Sequence, residues 1–197
     1  MDVSRTVRFT GARPRVSVIV PARNEARNLP HVLAALPADL HEVILVDGAS
    51  VDDTVPVARA CRPDVRVVHQ TRKGKGNAMA CGFTAATGDV LVMLDADGSA
   101  DPAEIHRFVD ALVAGADFAK GTRFADGGGS HDITRVRRWG NTFLNTLVNI
   151  MFRTRYTDLC YGYNAFWTDL LPVLDLPSTE IDGLGRTDMV WGDGFEI

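Results

Sequence analysis

The sequence predicts an α/β fold in which a mostly parallel sheet is flanked by helices. Short apolar runs rich in β-branched residues occur four times within the first 94 residues. Each of the first three runs is followed by a segment in which apolar residues have helical spacing. Strands that alternate with helices at this interval form parallel sheets, because each crossover helix returns the chain to the same edge. The 46% apolar composition of the 197 residues is sufficient for the core of such a domain.

Each strand is predicted from a short apolar run. β-Branched side chains favour extended backbone, and continuous apolar runs are typical of strands that are buried on both faces of a sheet. The fifth run is shorter than the others and follows the last helix of the alternation. In chain order, the predicted strands are Val16–Val20, Val43–Val46, Val65–Val68, Val90–Leu94 and Phe118–Gly121.

The helices between these strands are predicted from apolar spacing and from residues that favour helix ends. The first begins at Asn28-Leu29-Pro30, because proline is accepted in the first helical turn. Ser50–Asp53 resembles a capping box before the second helix. A third helix, Ala78–Ala86, is predicted to be ended by Gly88. The fourth spans Pro102–Ala114.

Composition divides the chain into three parts. Residues 1–15 form a basic arm that we expect to be flexible, and residues 16–123 contain the α/β alternation. Residues 124–197 form a second region after the α/β alternation. The chain stops at residues 191–197 without a helix end or a polar tail, which we interpret as a truncation.

The second region contains a helical pattern with an unusual charge distribution. Apolar residues between Val136 and Met151 have helical spacing, arginines flank them, and residues 133–157 include no acid. An apolar face bordered by arginines suits a helix that lies in a membrane interface. An ordinary core helix with a solvated rim explains the same pattern, and both interpretations stay open.

The net charge, the cysteine count and the length of the apolar runs argue against several classes of protein. A formal charge of −4 gives no reason to expect a nucleic-acid partner. Three widely spaced cysteines argue against a disulfide framework or a zinc site and indicate a reducing compartment. We expect neither a signal peptide nor a membrane span, since no run approaches about 20 apolar residues. Together these features predict a cytoplasmic protein.

Two carboxylates stand at the end of the fourth predicted strand. Asp95 and Asp97 directly follow Val90–Leu94, and open α/β sheets bind ligands beyond the carboxyl ends of their strands. Carboxylates at this spacing can share a hard divalent cation such as Mg²⁺ or Mn²⁺. An ordinary loop or helix cap explains the same residues. A calcium loop of the EF-hand type would have glycine at position 100, where Ala100 stands.

Polar groups at the other strand ends add to this site. Glu25 and Asp47 follow the first two strands and can accept hydrogen bonds from a base or a ribose. Lys73 and Lys75, in a glycine-rich loop, can neutralise a diphosphate. Neither the Gly-x-Gly-x-x-Gly turn nor the P-loop motif is present, which argues against dinucleotide-binding and P-loop proteins.

Four motifs occur in order along the chain. They are Val-Ile-Val-Pro-Ala-Arg-Asn-Glu, Leu-Val-Asp-Gly-Ala-Ser, Lys-Gly-Lys-Gly-Asn-Ala and Leu-Asp-Ala-Asp-Gly-Ser. This set resembles the family-2 glycosyltransferases of the GT-A fold, and most resembles the dolichyl- and polyprenyl-phosphate sugar transferases. The resemblance implies a Rossmann-like sheet with a C-terminal acceptor-side region. It also implies metal-dependent, inverting transfer of a sugar from a GDP-mannose or UDP-glucose type donor to a polyprenyl phosphate at a membrane surface, with homo-oligomerisation left open.

The resemblance also assigns roles to residues. Asp95 and Asp97 would bind the metal. A larger set of residues, which includes these two, would bind the nucleotide sugar. They are Pro21, Ala22, Glu25, Asp47, Lys73, Lys75, Asp95, Ala96 and Asp97. Arg123, with Arg137 or Arg138, would bind the acceptor phosphate. Asp193 would serve as a general base if the acceptor were a hydroxyl.

Other functions remain as alternatives. A transferase of the same fold could use a saccharide or another small-molecule hydroxyl as acceptor. A non-catalytic nucleotide-binding module would keep the same strand ends without turnover. A sugar-nucleotide pyrophosphorylase is disfavoured, because its glycine-rich loop is absent after Val20.

Overall fold

A computed structural model of the chain describes residues 13–122, 144–151, 153, 157–159 and 161–180. Within these ranges, six strands form one sheet. They are β1 (Val16–Ala22), β2 (Glu42–Asp47), β3 (Arg66–His69), β4 (Val90–Met93), β5 (Phe118–Lys120) and β6 (Asn164–Trp167). The helices are α1 (Leu29–Ala34), α2 (Thr54–Cys61), α3 (Lys75–Ala85) and α4 (Ile105–Val113), with 3₁₀ turns at Pro102–Glu104 and Thr168–Val173. Residues 144–151 are also helical.

The sheet has the strand order β3-β2-β1-β4-β6-β5. Strand β1 pairs in parallel with β2 and β4, and β2 pairs in parallel with β3. The predicted, mostly parallel α/β sheet is therefore confirmed. Strand β6 pairs antiparallel with both β4 and β5. Strand β6 has no counterpart among the predicted strands, and it separates the fifth predicted strand from the fourth.

Burial explains why β6 lies inside the sheet and β5 at its edge. All four residues of β6 are buried, whereas Phe118 in β5 is 45% exposed. A strand whose four residues are all buried needs cover on both faces. The short, partly exposed β5 suits an edge position, where one side of the strand has no partner.

The core lies on both faces of the sheet, as the period of two along a strand requires. Val18, on β1, packs in a cluster with α1 and α4, and its neighbour Ile19 packs in a second cluster with α3. Helix α3 approaches β1 closely at Gly82, where an added Cβ would lie 2.5 Å from Cγ2 of Ile19. This close approach fixes α3, and with it the loop that precedes the helix, against the centre of the sheet.

Two helix ends differ from the prediction. The capping box before α2 is wrong: the N-cap residue is Asp53, without a side-chain cap, because the Ser50 hydroxyl accepts from the Asn24 N–H instead. Helix α3 begins at Lys75, three residues before the predicted start, and ends at Ala85. Gly88 packs against β1, where its N–H donates to the Ser17 hydroxyl.

Candidate active site

The site lies at the edge of the sheet where the parallel strands β1 to β4 end. The register pairs Ala22 with Asp47 and Asp47 with His69, so the ends of three strands are level. Asp95 comes two residues after β4, the strand that pairs with β1 on its other side. The expectation that these strand ends share one edge is therefore confirmed. Of the donor-side residues predicted from the sequence, Pro21, Ala22 and Asp47 are the last residues of β1 and β2, and the others come after strand ends.

The loops after β1 and β2 are hydrogen-bonded to each other. Asn24, with a φ of 59°, accepts from the Val51 N–H at 2.9 Å and donates its own N–H to the Ser50 hydroxyl at 3.0 Å. The Glu25 N–H donates to the hydroxyl of the buried Thr54 at 2.8 Å. Asparagine tolerates this left-handed backbone better than most residues. Asn24 and Thr54 thus shape the site, and neither is among the binding residues predicted from the sequence.

The candidate nucleoside-binding residues differ in exposure. Pro21 and Ala22 are the last two residues of β1, and the Ala22 carbonyl accepts from the Gly48 N–H at 2.8 Å. The Glu25 carboxylate accepts from the Asn28 amide at 2.7 Å. Asp47 is only 5% exposed, and Oδ1 and Oδ2 of its carboxylate lie 3.3 and 3.4 Å from the Ser50 nitrogen. A buried carboxylate at a strand end is well placed to accept from one specific group of a ligand.

The lysine-rich loop is held by a buried asparagine at its far end. Oδ1 of Asn77, in the first turn of α3, accepts from the N–H groups of Thr71 and Arg72 at 3.0 and 2.8 Å. Lys73 lies within this loop and is exposed. Lys75 is the first residue of α3. The asparagine amide therefore satisfies two backbone N–H groups of the loop, as a capping side chain does at a helix end. Because Asn77 bonds to residues before Lys73 and itself follows Lys75, it closes the loop that carries the two lysines.

Asp95 is in contact with a lysine through one carboxylate oxygen. Its Oδ1 lies 2.5 Å from the Lys75 ammonium, and the Asp95 side chain keeps 27% of its exposure. A Cβ added at Gly162 would lie 2.8 Å from Oδ2. Gly162, two residues before β6, therefore leaves beside this oxygen the space that a larger residue would fill. No local sequence pattern connects the two positions, so this proximity cannot be predicted from the sequence.

Asp97 has a more open environment than Asp95. Ala96, between the two acids, is buried in the larger apolar cluster and holds the turn in place. The exposed Asp97 accepts from the Ser99 N–H at 2.9 Å through Oδ1, and Gly98 between them has a φ of 76°. One oxygen of Asp97 thus stabilises the turn, and the carboxylate as a whole faces the solvent.

The donor set fits a hard divalent cation that has further ligands. Such cations take six or more oxygen ligands, and Mg²⁺ commonly combines one or two carboxylates with phosphate oxygens and water. In the part of the chain that the structure describes, no group of three or more acidic, histidine or cysteine side chains is arranged around one point. Among the described residues, Asp95 and Asp97 thus offer two carboxylates, and a cation bound there would need further ligands such as phosphate oxygens or water.

The acceptor side is described in part. Asn145, on the helix over 144–151, donates to the Thr157 carbonyl at 2.6 Å and accepts from the Leu159 N–H at 2.9 Å. The hydroxyl of Tyr163 donates to the Asp101 carbonyl at 3.0 Å, and burial raises the pKa of this phenol well above its usual range. The four predicted acceptor-side residues lie outside the described residues: Arg123, Arg137, Arg138 and Asp193.

The sequence pattern of glycosyl transferase family 2 matches residues 17–173, which include Asp47, Asp95 and Asp97. The chain belongs to this family. The prediction of a family-2 glycosyltransferase is therefore confirmed. The carboxylate pair, the lysine-rich loop and the strand-end acids all lie within the matched residues, at one edge of the sheet.

Two curated relatives cover most of this family-2 chain. It is 33% identical to the polyprenol monophosphomannose synthase of Mycolicibacterium smegmatis, over 93% of this chain and 74% of the relative. It is 36% identical to the undecaprenyl-phosphate mannosyltransferase of Micrococcus luteus, over 90% of this chain and 76% of the relative. Both identities exceed 30% over most of the chain, which agrees with the family assignment.

The fold is also that of a solved glycosyltransferase of the GT-A fold. Glucosyl-3-phosphoglycerate synthase from Mycobacterium tuberculosis, crystallised with Mn²⁺, uridine diphosphate and glucosyl-3-phosphoglycerate, superposes with a TM-score of 0.62 at 26% identity. The superposition covers 80% of this chain but 58% of that structure. The predicted GT-A fold is thus confirmed, and the chain spans little more than half the length of the solved enzyme.

Proposed function

We propose that the chain transfers a hexose from a nucleotide sugar to a polyprenyl phosphate, with the aid of a divalent cation and with inversion at the anomeric carbon. The observation that carries the proposal is the cluster at one sheet edge: a carboxylate pair, a lysine in contact with it and a buried acid two strands away. The two mannosyl enzymes that match this chain over at least 90% of its length support the lipid phosphate as acceptor.

The donor would lie across the ends of β1, β2 and β4. Asp47 accepts from the base, and Pro21, Ala22 and Glu25 line the nucleoside. Lys73 and Lys75 pair with the diphosphate, which they neutralise in part, and Ala96 lies beneath it. A GDP-mannose or UDP-glucose type donor presents base donors and a doubly charged diphosphate, and both match this distribution of acids and lysines.

Asp95 and Asp97 would hold Mg²⁺ or Mn²⁺. Such a cation neutralises the charge that develops on the departing nucleoside diphosphate. The crystallised glucosyl-3-phosphoglycerate synthase contains Mn²⁺ together with uridine diphosphate, which supports a shared site for a cation and a nucleotide. The residues of this chain fit that arrangement, because they supply two oxygen ligands and leave the others to the donor.

The acceptor phosphate would be bound by Arg123 with Arg137 or Arg138. Guanidinium groups pair with phosphates through two parallel hydrogen bonds, which fixes the attacking oxygen in line with the anomeric carbon. A phosphate monoester is already ionised near neutral pH, so the attack needs no general base. A single in-line displacement inverts the configuration at that carbon.

The protein would bind to the cytoplasmic face of a membrane through the helix over residues 144–151. Within the described residues, no helix is both long enough and apolar enough to cross a bilayer. Large apolar side chains on this helix are exposed; they are Leu144 at 41%, Leu147 at 43%, Ile150 at 73% and Met151 at 65%. Their exposure favours the interfacial interpretation of this segment over the core-helix alternative.

A second function keeps the site and changes the acceptor. The synthase that superposes on this chain was crystallised with glucosyl-3-phosphoglycerate, a small phosphorylated product. A small-molecule hydroxyl acceptor would need a general base, for which Asp193 is the candidate. This alternative predicts transfer in the absence of any lipid.

The test is a transfer assay with UDP-glucose and GDP-mannose as donors and a short polyprenyl phosphate as acceptor, with Mn²⁺, Mg²⁺ or EDTA. We expect a glycolipid from one donor, and no product in EDTA. Asp97→Ala should lower the rate by about 100-fold, whereas Asp39→Ala, at the opposite edge of the sheet, should not change it. Full activity of Asp97→Ala would remove the metal role. Transfer only to phosphoglycerate or a saccharide would establish the second function instead.

A further inference from the structure

We infer that Lys75 is an internal counter-ion of Asp95 that a divalent cation must displace, so that the cation and the nucleotide diphosphate bind cooperatively. The inference rests on the proposed function, because it concerns the same two ligands. It adds an order to their binding: the cation alone binds weakly, and the nucleotide creates the site by drawing Lys75 away from Asp95.

The first argument is the occupancy of the Asp95 carboxylate. Its Oδ1 is 2.5 Å from the Lys75 ammonium, and the Asp95 side chain is 27% exposed. A cation that approaches Asp95 therefore meets a positive charge already in contact with the carboxylate. The neighbouring Asp97 is exposed, and its Oδ1 accepts from the Ser99 N–H.

The second argument is the position of Lys75 on its helix. Lys75 is the first residue of α3, and a positive charge is unfavourable at a helix N-terminus, where the helix dipole is itself positive. No neighbouring acid occurs in the first turn of α3. Helix stability therefore does not explain a lysine at this position, whereas contact with Asp95 does.

The third argument is that the contact is weak enough to exchange. The Lys75 side chain is 57% exposed and that of Asp95 27%, and ion pairs with such exposure contribute little to stability. The lysine has a flexible four-carbon stem, so its ammonium can move without a change in the backbone. The pair is thus weak enough to open when a diphosphate arrives, while the ammonium still has to leave Asp95 before a cation can take its place.

Cooperativity follows from what the diphosphate supplies. It offers Lys75 a new anionic partner and gives the cation the oxygens that the two carboxylates cannot provide. Each ligand therefore removes part of the cost of binding the other, and the coupling is reciprocal by thermodynamic necessity. In the reverse direction, a bound cation that has released Lys75 raises the affinity for the nucleotide.

The test is the affinity for Mn²⁺ alone, measured by calorimetry or by the electron paramagnetic resonance of free Mn²⁺, in the full chain and in Lys75→Gln. We expect Lys75→Gln to bind Mn²⁺ about tenfold more tightly without nucleotide. We also expect UDP or GDP to raise the Mn²⁺ affinity of the original chain by a larger factor than that of Lys75→Gln. Arg72→Gln is the matched control, because it removes one positive charge from the same loop, where the Arg72 guanidinium donates to the Ser178 carbonyl.

The outcomes separate the inference from the proposed function. An Mn²⁺ affinity in Lys75→Gln equal to that in Arg72→Gln, with normal binding of Mn²⁺ in the presence of nucleotide, would overturn the inference alone. Absence of Mn²⁺ binding in every variant, with UDP or GDP present, would overturn the cation site of the proposed function as well. Lys75→Met provides a second variant, and circular dichroism of both shows whether α3 is intact.

Discussion

Nδ1 of His69 lies 3.3 Å from Oδ2 of Asp47, which joins the ends of β2 and β3 through their side chains. The Asp47 side chain is 7% exposed and that of His69 is 72% exposed. An exposed imidazole thus contacts a buried acid that the proposed function places against the base of the donor. The contact limits the orientations that the Asp47 carboxylate can adopt.

Asp47→Asn is expected to weaken the binding of UDP or GDP by about tenfold to 100-fold. The reason is that a hydrogen bond to a charged acceptor contributes about 1.5–3 kcal/mol. Calorimetry with either nucleotide measures the change. Asp64→Asn, an exposed acid in the turn before β3, serves as the control. Equal affinity in Asp47→Asn and the original chain would place the base elsewhere.

Gly162→Ala is expected to reduce the rate of sugar transfer by at least about tenfold. The added Cβ would lie 2.8 Å from Oδ2 of Asp95, so the carboxylate has to move from its present position. A displacement of a metal-binding group by a fraction of an ångström is enough to lower a rate substantially. The comparison is with Asp95→Asn and with the double variant. If the losses of rate in the two single variants added up in the double variant, Gly162 would affect the rate by a route other than Asp95.

Ala49→Gly is expected to stabilise the fold by about 0.5 kcal/mol. Ala49 has a φ of 59°, and this left-handed backbone costs a residue with a Cβ about 1–2 kcal/mol of stability. Glycine avoids that cost. It lowers stability by about 0.4–1 kcal/mol, however, because it increases the entropy of the unfolded chain. Urea unfolding measures the difference. The same change at Ala35, where φ is −86°, relieves no strain and should destabilise the protein. A loss of stability in Ala49→Gly would contradict the strain argument.

Glu42 is expected to make the stability of the fold depend on pH in the acid range. Burial alone would raise the pKa of this carboxylate, but hydrogen bonds from the Thr87 N–H, the Ser17 hydroxyl and the Thr87 hydroxyl outweigh it, and the pKa is lowered. The unfolded chain therefore binds the proton more tightly than the folded one. The stabilisation is fully present above the ordinary carboxyl pKa of about 4.3 and is lost as pH falls through the lower folded value.

Glu42→Gln tests this assignment. We expect its free energy of unfolding to vary less with pH than that of the original chain. Urea titrations at a series of pH values from about 3 to about 7 measure this dependence. Glu104→Gln is the comparison, because Glu104 pairs with Arg107 at the surface. Parallel pH profiles for Glu42→Gln and the original chain would show that another group titrates in this range.

Replacement of Leu147 and Ile150 by glutamine is expected to weaken binding to anionic lipid vesicles by about tenfold. The two exposed side chains would otherwise move from water into the interface, and each contributes about 1 kcal/mol or more when its apolar surface is buried. Vesicle sedimentation measures the binding. Val113→Gln, on α4, removes another exposed apolar side chain and should have no effect. Equal binding by all three proteins would remove this helix from the membrane contact.

The donor half could be predicted from the sequence because its signals are local. Val43–Val46 and Val90–Leu94 are continuous apolar runs, and the acids that end them reach one edge simply because parallel strands share a direction. The helix boundaries were less predictable. Asn77 was visible in the lysine-rich loop, but the hydrogen bonds that place it inside α3 depend on the path of Thr71 and Arg72.

The rest of the site depends on contacts between distant parts of the chain. Strand β6 is short, and its place beside β4 is decided by the burial of Phe166 and Trp167 rather than by any periodicity. The space that Gly162 leaves for Asp95 follows from that pairing, and the contact of Lys75 with Asp95 follows from the packing of α3 on β1. None of these contacts has a signature within a single window of residues.

The antiparallel strand between β4 and β5 also has a consequence for synthesis of the protein on the ribosome. Strand β4 has a neighbour on one side only until residues 164–167 have emerged, and β5 has none at all. During that interval the nascent chain presents an apolar edge with unpaired backbone groups, which invites association with other chains. A chaperone that covers this edge during translation would therefore increase the yield of the protein more than one that acts on the finished chain.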